Sequence, residues 1–266
     1  MSESVGRPDD PRLAPYAHVG DAAWLRDQDL FVAEGRLVLQ RLLDAGRYDV
    51  QSILVTPAAE RALAARLASV TVPVLVCSQE VLDGVTGFNF HRGCLALARR
   101  PATPLPDAWP ERDGVLLALE GVGNPDNVGG LFRAAAALGA SGVLVGPGTA
   151  DPLYRKAIRT SMGAVLQLPW AMALPWPATL DSVRKRGYRI VALTPASGAI
   201  PLRRFAESRH SRIVLLAGAE GAGLSSEALA AADDLVRIPI ADAVDSLNVT
   251  VAVAIALHVL APNLEA

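Results

Sequence analysis

The chain has 266 residues, 51% of them hydrophobic and 20% charged, so it is neither disordered nor fibrous. At roughly 100–200 residues per domain it holds one large domain or two ordinary ones. A formal net charge of −2 excludes an evenly basic coat for nucleic acid, and any such contact has to use a local patch. The first residues, MSESVGRPDDPR, lack an apolar signal region and read as a loose polar tail over 1–20. Two cysteines, Cys77 and Cys94, and four scattered histidines give neither a disulfide framework nor zinc spacing, so no metal is expected. The most apolar stretch, LNVTVAVAIALHVL (247–260), is too short to span a membrane and carries Asn248 and His258. A cytoplasmic protein without membrane contact is expected.

In the first domain, Leu37-Val38-Leu39 and Leu42-Leu43 have helical spacing before a stop at Gly46. SILVT (52–56) reads as a strand, Ala58–Leu67 as a helix, VPVLVC (72–77) and CLALA (94–98) as strands. These predict a small α/β domain over 21–100. Four prolines in RRPATPLPDAWPERD, from Arg99 to Asp113, mark a linker assigned to 101–113. The second domain, 114–266, is more regular. Its strands are predicted at 115–120, 142–146, 189–194, 212–218 and 235–240, and its helices at 128–138, 152–161, 178–186, 225–232 and 246–260. Apolar strands alternating with helices predict a parallel sheet covered on both faces. Ligands in such sheets sit beyond the carboxyl ends of the strands, which here are followed by residues rich in Gly, Asn and Glu.

Three segments there carry chemistry. EGVGNPDNVGGLFRAAAALGA (120–140) follows a strand and opens a helix. It is no dinucleotide fingerprint, because Gly-x-Gly-x-x-Gly from Gly121 needs a glycine where Asp126 stands. Asn127 has the chemistry of a helix cap, and Arg133 is a lone cation on a helix of small residues. LLAGAEGAGLS (215–225) places Gly218, Gly221 and Gly223 after a strand with one acid, Glu220, where a ligand can approach the backbone closely. The glycine loop of a nicotinamide-dependent enzyme would follow the first strand, and this one comes near the end of the chain. RIPIADAVDSLNVTVAVAIAL (237–257) runs from a strand through Ser246-Leu247-Asn248 into an apolar helix. Ser246 suits its N-cap, and Asn248 in its first turn needs a hydrogen-bond partner.

In order and spacing these segments resemble the three motifs of the SpoU (TrmH-like) RNA ribose 2′-O-methyltransferases, within the SPOUT class, over 115–260. RTSMGAVLQLP (159–169) looks like the family's connecting stretch. The first domain, with DLFVAEGRLVLQRLL (29–43), ILVTP (53–57) and GFNFHRGCLAL (87–97), is similar to the family's L30e-like substrate-binding domain. The resemblance implies a parallel α/β sheet whose C-terminal segment forms a trefoil knot holding S-adenosylmethionine. Leu216, Ala217, Gly218, Gly223, Ile238, Ile240, Leu247 and Asn248 match its cofactor-binding positions. Asn127, Arg133, Glu220, Ser246 and Asn248 match its catalytic ones. A homodimer with RNA as substrate is implied, ribosomal RNA in preference to transfer RNA. Two alternatives stand beside it: a transfer-RNA 2′-O-methyltransferase and a non-catalytic RNA-binding or assembly factor of the same fold. Two residues depart from the pattern, Ala219 between the motif-two Gly and Glu and Val259 near the end of the last helix. Local basic groups suited to RNA phosphates are Arg155, Lys156 and Arg159; Arg184, Lys185, Arg186 and Arg189; and Arg203, Arg204, Arg209 and Arg212.

Overall fold

The structure, a computed structural model, describes residues 2–87, 89–101, 113–241 and 243–261. They form two units. One holds the described residues before 102 together with Leu153–Gln167. The other holds those from Asp113 to Pro152 and from Leu168 onward.

The first unit begins with strand β1 (Ser2–Val5), a 3₁₀ segment (Pro11–His18) and helix α1 (Ala22–Asp27). It continues through β2 (Leu30–Glu34), α2 (Arg36–Ala45), β3 (Val50–Val55), α3 (Pro57–Leu67), β4 (Val74–Cys77), α4 (Gln79–Thr86) and β5 (Cys94–Arg99). The sheet order is β1-β4-β3-β5-β2. β1 and β3 run parallel to β4, whereas β5 runs antiparallel to β2 and β3. The expected loose tail is therefore corrected: β1 is an edge strand with Val5 buried. Beyond it Leu13 and Tyr16 are fully buried, and the Tyr16 hydroxyl meets Ser52 Oγ at 2.8 Å. An edge strand keeps most of its side chains in water, which is why SESV reads as polar.

The second unit starts with β6 (Gly114–Leu119), α5 (Pro125–Ala137) and β7 (Gly142–Val145). The chain then contributes α6 (Arg155–Thr160) and α7 (Ala164–Gln167) to the first unit. This moves the boundary read from sequence, which gave 153–167 to the second domain. There α6 packs on β2 and α7 on α2, with Ile158, Val165 and Leu166 buried. Arg41 Nη1 donates to the Met162 carbonyl at 2.8 Å and Arg47 Nη2 to that of Leu166 at 3.0 Å. The second unit resumes with β8 (Trp170–Met172), α8 (Thr179–Lys185), β9 (Arg189–Leu193), β10 (Ile200–Pro201) and α9 (Leu202–Ala206). It ends with β11 (Arg212–Ala217), α10 (Ser226–Ala230), β12 (Asp234–Arg237) and α11 (Val249–Leu260).

Its seven strands are ordered β10-β12-β9-β11-β6-β7-β8, and every ladder is parallel. β6 and β7 are buried along their whole length, as a sheet covered on both faces requires. The register aligns the carboxyl ends of β6 and β11, with Ala217 beside Leu119, and Leu216 beside Ala192 of β9. α11 packs on α5. Gly130 permits this approach, since a Cβ there would lie 3.0 Å from Thr250 Cγ2. Residues 102–112, the bulk of the expected linker, lie outside the described residues. Among the described residues no helix is long and apolar enough to cross a membrane, and no His, Cys, Asp and Glu cluster suits a metal ion.

Candidate functional site

A cavity of about 360 Å³ opens at the carboxyl ends of β9, β11 and β12, within the second unit. One wall is the loop after β11. Ala219 and Gly223 exchange backbone hydrogen bonds, 3.1 Å from Ala219 N and 3.0 Å from Gly223 N, so the loop folds back on itself. Gly221 and Gly223 supply the positive φ of this turn, +85° and +70°. At Gly218 the need is for space, because a Cβ would overlap the carbonyl of Gly223 and the amide of Leu224.

The opposite wall comes from the segment after β12. Ile238, Ile240, Ser246 and Leu247 line it, and Asn248 closes it. Asn248 is the N-cap of α11: its Oδ1 accepts from Thr250 N at 2.9 Å and Val251 N at 3.4 Å. Its Nδ2 donates to Glu220 Oε1 at 2.6 Å and to Asn127 Oδ1 at 3.3 Å. One side chain thus starts a helix with its oxygen and bonds two distant segments with its nitrogen. Among the described residues lining the cavity, Glu220 is the single charged group, and Leu193, Ile238, Leu247 and Val249 give it apolar walls.

The structure brings most of the sequence-predicted residues together. Ala217, Gly218, Glu220, Gly223, Ile238, Ile240, Ser246, Leu247 and Asn248 all line the cavity, and Asn127 touches Asn248. Leu216 does not line it. It is fully buried with Leu116, Ala118 and Leu144, because alternate residues of β11 face opposite sides of the sheet. Two capping expectations are also corrected. α5 is capped by Asn124, whose Oδ1 accepts from Asp126 N at 2.9 Å, leaving Asn127 free to turn toward Asn248. α11 is capped by Asn248 and not by Ser246, which stays exposed in the loop.

Arg133 stands apart. It is six residues beyond Asn127 on α5, a rotation of roughly 240° at 3.6 residues per turn, and it is exposed. It makes no hydrogen bond or ion pair among the described residues and does not line the cavity of its own chain. Sequence reasoning missed Leu193, Thr194 and Pro195 at the end of β9, although a proline directly after an apolar strand was a usable signal.

Several basic candidates prove to be tied to acids. Arg184 pairs with Asp181 at 2.6 Å and Asp233 at 3.1 Å, and Arg212 with Asp113 at 3.1 Å. Arg189 pairs with Asp234. Arg155 and Arg92 each approach the buried carboxylate of Glu34 at 3.4 Å. Lys185, Arg203, Arg204 and Arg209 remain exposed.

Comparison with known proteins places the chain. Residues 114–258 match the model of the SpoU rRNA Methylase family. The chain belongs to this family. It is 40% identical over 261 residues to an uncharacterised tRNA/rRNA methyltransferase of Mycobacterium bovis, covering 96% of this chain and 90% of that one. The crystal structure of an AdoMet-bound rRNA methyltransferase from Sinorhizobium meliloti is 28% identical with a TM-score of 0.84, over 97% of both chains. That of an RNA 2′-O ribose methyltransferase is 29% identical with a TM-score of 0.78, over 97% of this chain and 98% of that one. A member of the SpoU family is an RNA methyltransferase, and the cavity lies inside the matched region.

Proposed function

We propose that the protein transfers a methyl group from S-adenosylmethionine to a ribose 2′-hydroxyl of structured RNA, with ribosomal RNA as the preferred class. The observation that carries this reading is the convergence of the Gly218 loop and the Ser246–Asn248 corner on one cavity, with Asn127, Glu220 and Asn248 hydrogen-bonded at its edge. The reading is supported by the likeness to an AdoMet-bound rRNA methyltransferase and to an RNA 2′-O ribose methyltransferase.

The residues fit the cofactor. The absence of a Cβ at Gly218 leaves backbone as the floor, and Leu193, Ile238 and Leu247 offer apolar faces to an adenine. Ala217, Gly223, Ile240 and Asn248 complete the enclosure, and Glu220 is a negative charge suited to a cationic ligand. When bound, the cofactor supplies a methyl group already activated by its sulfonium charge.

The protein's own task is then to hold and orient the attacking ribose and to assist loss of its proton. Arg133 acts as a cation that orients the RNA phosphate and stabilises the developing alkoxide. Because it faces away from its own cavity, we assign it to the cavity of a second copy, as Arg133 of the partner subunit. A homodimer is supported by α11, where Val251 and Ile255, one turn apart, are 48% and 38% exposed. The first unit serves as the L30e-like RNA-binding domain. The C-terminal walls form the trefoil knot, a reading supported by α11 packing on α5 after β12 has joined the far side of β9.

The test uses purified protein, methyl-labelled S-adenosylmethionine and total RNA. Label should be recovered as a 2′-O-methylnucleoside from ribosomal RNA, at one position located by primer extension at low nucleotide concentration. Label on a base would overturn the ribose assignment, and label in transfer RNA alone would overturn the preferred class.

A further inference from the structure

We infer that Glu120 is a positioning residue for the cofactor cavity, holding both stems of the glycine loop that forms one wall. The inference rests on reading the cavity as the S-adenosylmethionine site. Glu120 directly follows β6 and is only 8% exposed. Its backbone N–H donates to the carbonyl of Ala217, where the loop begins, at 3.0 Å. Its carboxylate holds Ser225, where the loop ends: Oε2 accepts from Ser225 N at 2.8 Å and Oε1 from Ser225 Oγ at 2.7 Å. Ser225 Oγ in turn accepts from Ala228 N at 3.1 Å and caps α10. One residue therefore fixes the entry and the exit of the same turn.

The chemistry explains why an acid stands here. A buried carboxylate is costly unless its oxygens are hydrogen-bonded. Among the described residues no cation pairs with Glu120. It has three neutral donors instead, the third being Trp176 Nε1 at 2.6 Å. A pair of acceptor oxygens serves all three donors at once, which an amide or an apolar side chain cannot do. The surroundings leave the loop little freedom to settle elsewhere. A Cβ on the neighbouring Gly121 would come 3.2 Å from Ala219 Cβ, and one on Gly146 would meet the Trp176 ring at 3.4 Å.

Glu120→Gln keeps the volume, retains one acceptor and turns an N–H toward Ser225 N–H. The loss of one charge-assisted hydrogen bond corresponds to about a tenfold change. We expect the Kd and the KM for S-adenosylmethionine to rise by that factor, with kcat within about twofold of wild type, because Asn127, Glu220 and Asn248 are untouched. Ser225→Ala should weaken binding in the same direction, and should add less in the Glu120→Gln background than alone, since the two share one interaction. Trp176→Phe, which spares both Ser225 bonds, should change Kd least. Binding by calorimetry and steady-state kinetics well below the melting temperature separate this from general destabilisation. Glu120→Gln with unchanged Kd and lowered kcat, or with a lowered melting temperature alone, would overturn the role. If Glu120→Gln fails to fold, Ser225→Ala decides by the same readout. Wild-type protein that binds no S-adenosylmethionine would instead overturn the reading of the cavity itself.

Discussion

Gly218→Ala perturbs the cavity wall most directly. Its Cβ would overlap backbone atoms of Gly223 and Leu224, which have no flexible side-chain end to swing away. The upstream side is fixed, because Ala217 belongs to β11 and its carbonyl is bonded to Glu120 N. The displacement must fall on the turn, opening the paired hydrogen bonds of Ala219 and Gly223. Overpacking of this kind costs about 1–3 kcal/mol. If the strain is borne in the bound geometry, affinity for S-adenosylmethionine falls about 5- to 150-fold. Calorimetric titration of wild type, Gly218→Ala and Gly20→Ala measures this. Gly20 is the control, with nothing within 4 Å of an added Cβ and no positive φ. Wild-type affinity in Gly218→Ala, with an unchanged melting temperature, would refute the wall assignment.

Arg133→Ala should abolish methyl transfer while leaving the cofactor Kd within about twofold, because the role proposed for Arg133 is toward the RNA phosphate and the attacking oxygen and not toward the cofactor. Mixed dimers of Arg133→Ala with an Asn248-defective chain should regain one working site if the arginine acts across subunits, and activity assays of co-expressed chains check this. Asn248→Asp keeps a capping oxygen but sets a carboxylate against Glu220, so the melting temperature should hold better than in Asn248→Ala, which also loses about 1 kcal/mol of cap, while cofactor binding suffers in both. Burial pushes the thiols of Cys77 and Cys94 up from 9.0 to about 11. Both should resist alkylation at pH 8 until the protein unfolds, and mass spectrometry reads the adducts. Their folded-state value lies above the unfolded one, so the stability they contribute is complete below about pH 9 and is lost as pH rises toward about 11, measurable by urea titration at each pH.

The second unit was legible because its buried strands are continuous apolar runs and its turns carry glycine, so β6, β7, β9 and β11 fall within a residue or so of their predicted limits. The cavity followed from the same pattern, since ligands collect beyond strand ends. Hidden features were those without periodicity. β1 is polar on its solvent side, β10 is two residues long, and neither stands out as a run. Leu216 and Ala217 were read together as neighbours in sequence, but side chains alternate along β11, so Ala217 takes the cavity side and Leu216 the buried cluster with Leu116 and Leu144. Asn127 and Ser246 both looked like caps, but the hydrogen bonds went to Asn124 and Asn248, a choice that depends on where each helix begins to the residue. Glu120 lay next to a conspicuous motif, and its role became visible only when Ser225, distant in sequence, was seen to meet it.

The excursion of Leu153–Gln167 into the first unit has a practical corollary for anyone who wishes to dissect this protein. No single cut separates the halves. A fragment cut at 114 would take with it Ile158, Val165 and Leu166 stripped of the β2 and α2 surfaces they sit on, and would leave its counterpart with a bare patch. Transplanting the N-terminal module between relatives calls for three junctions, not one, with the short helical pair travelling as part of the graft.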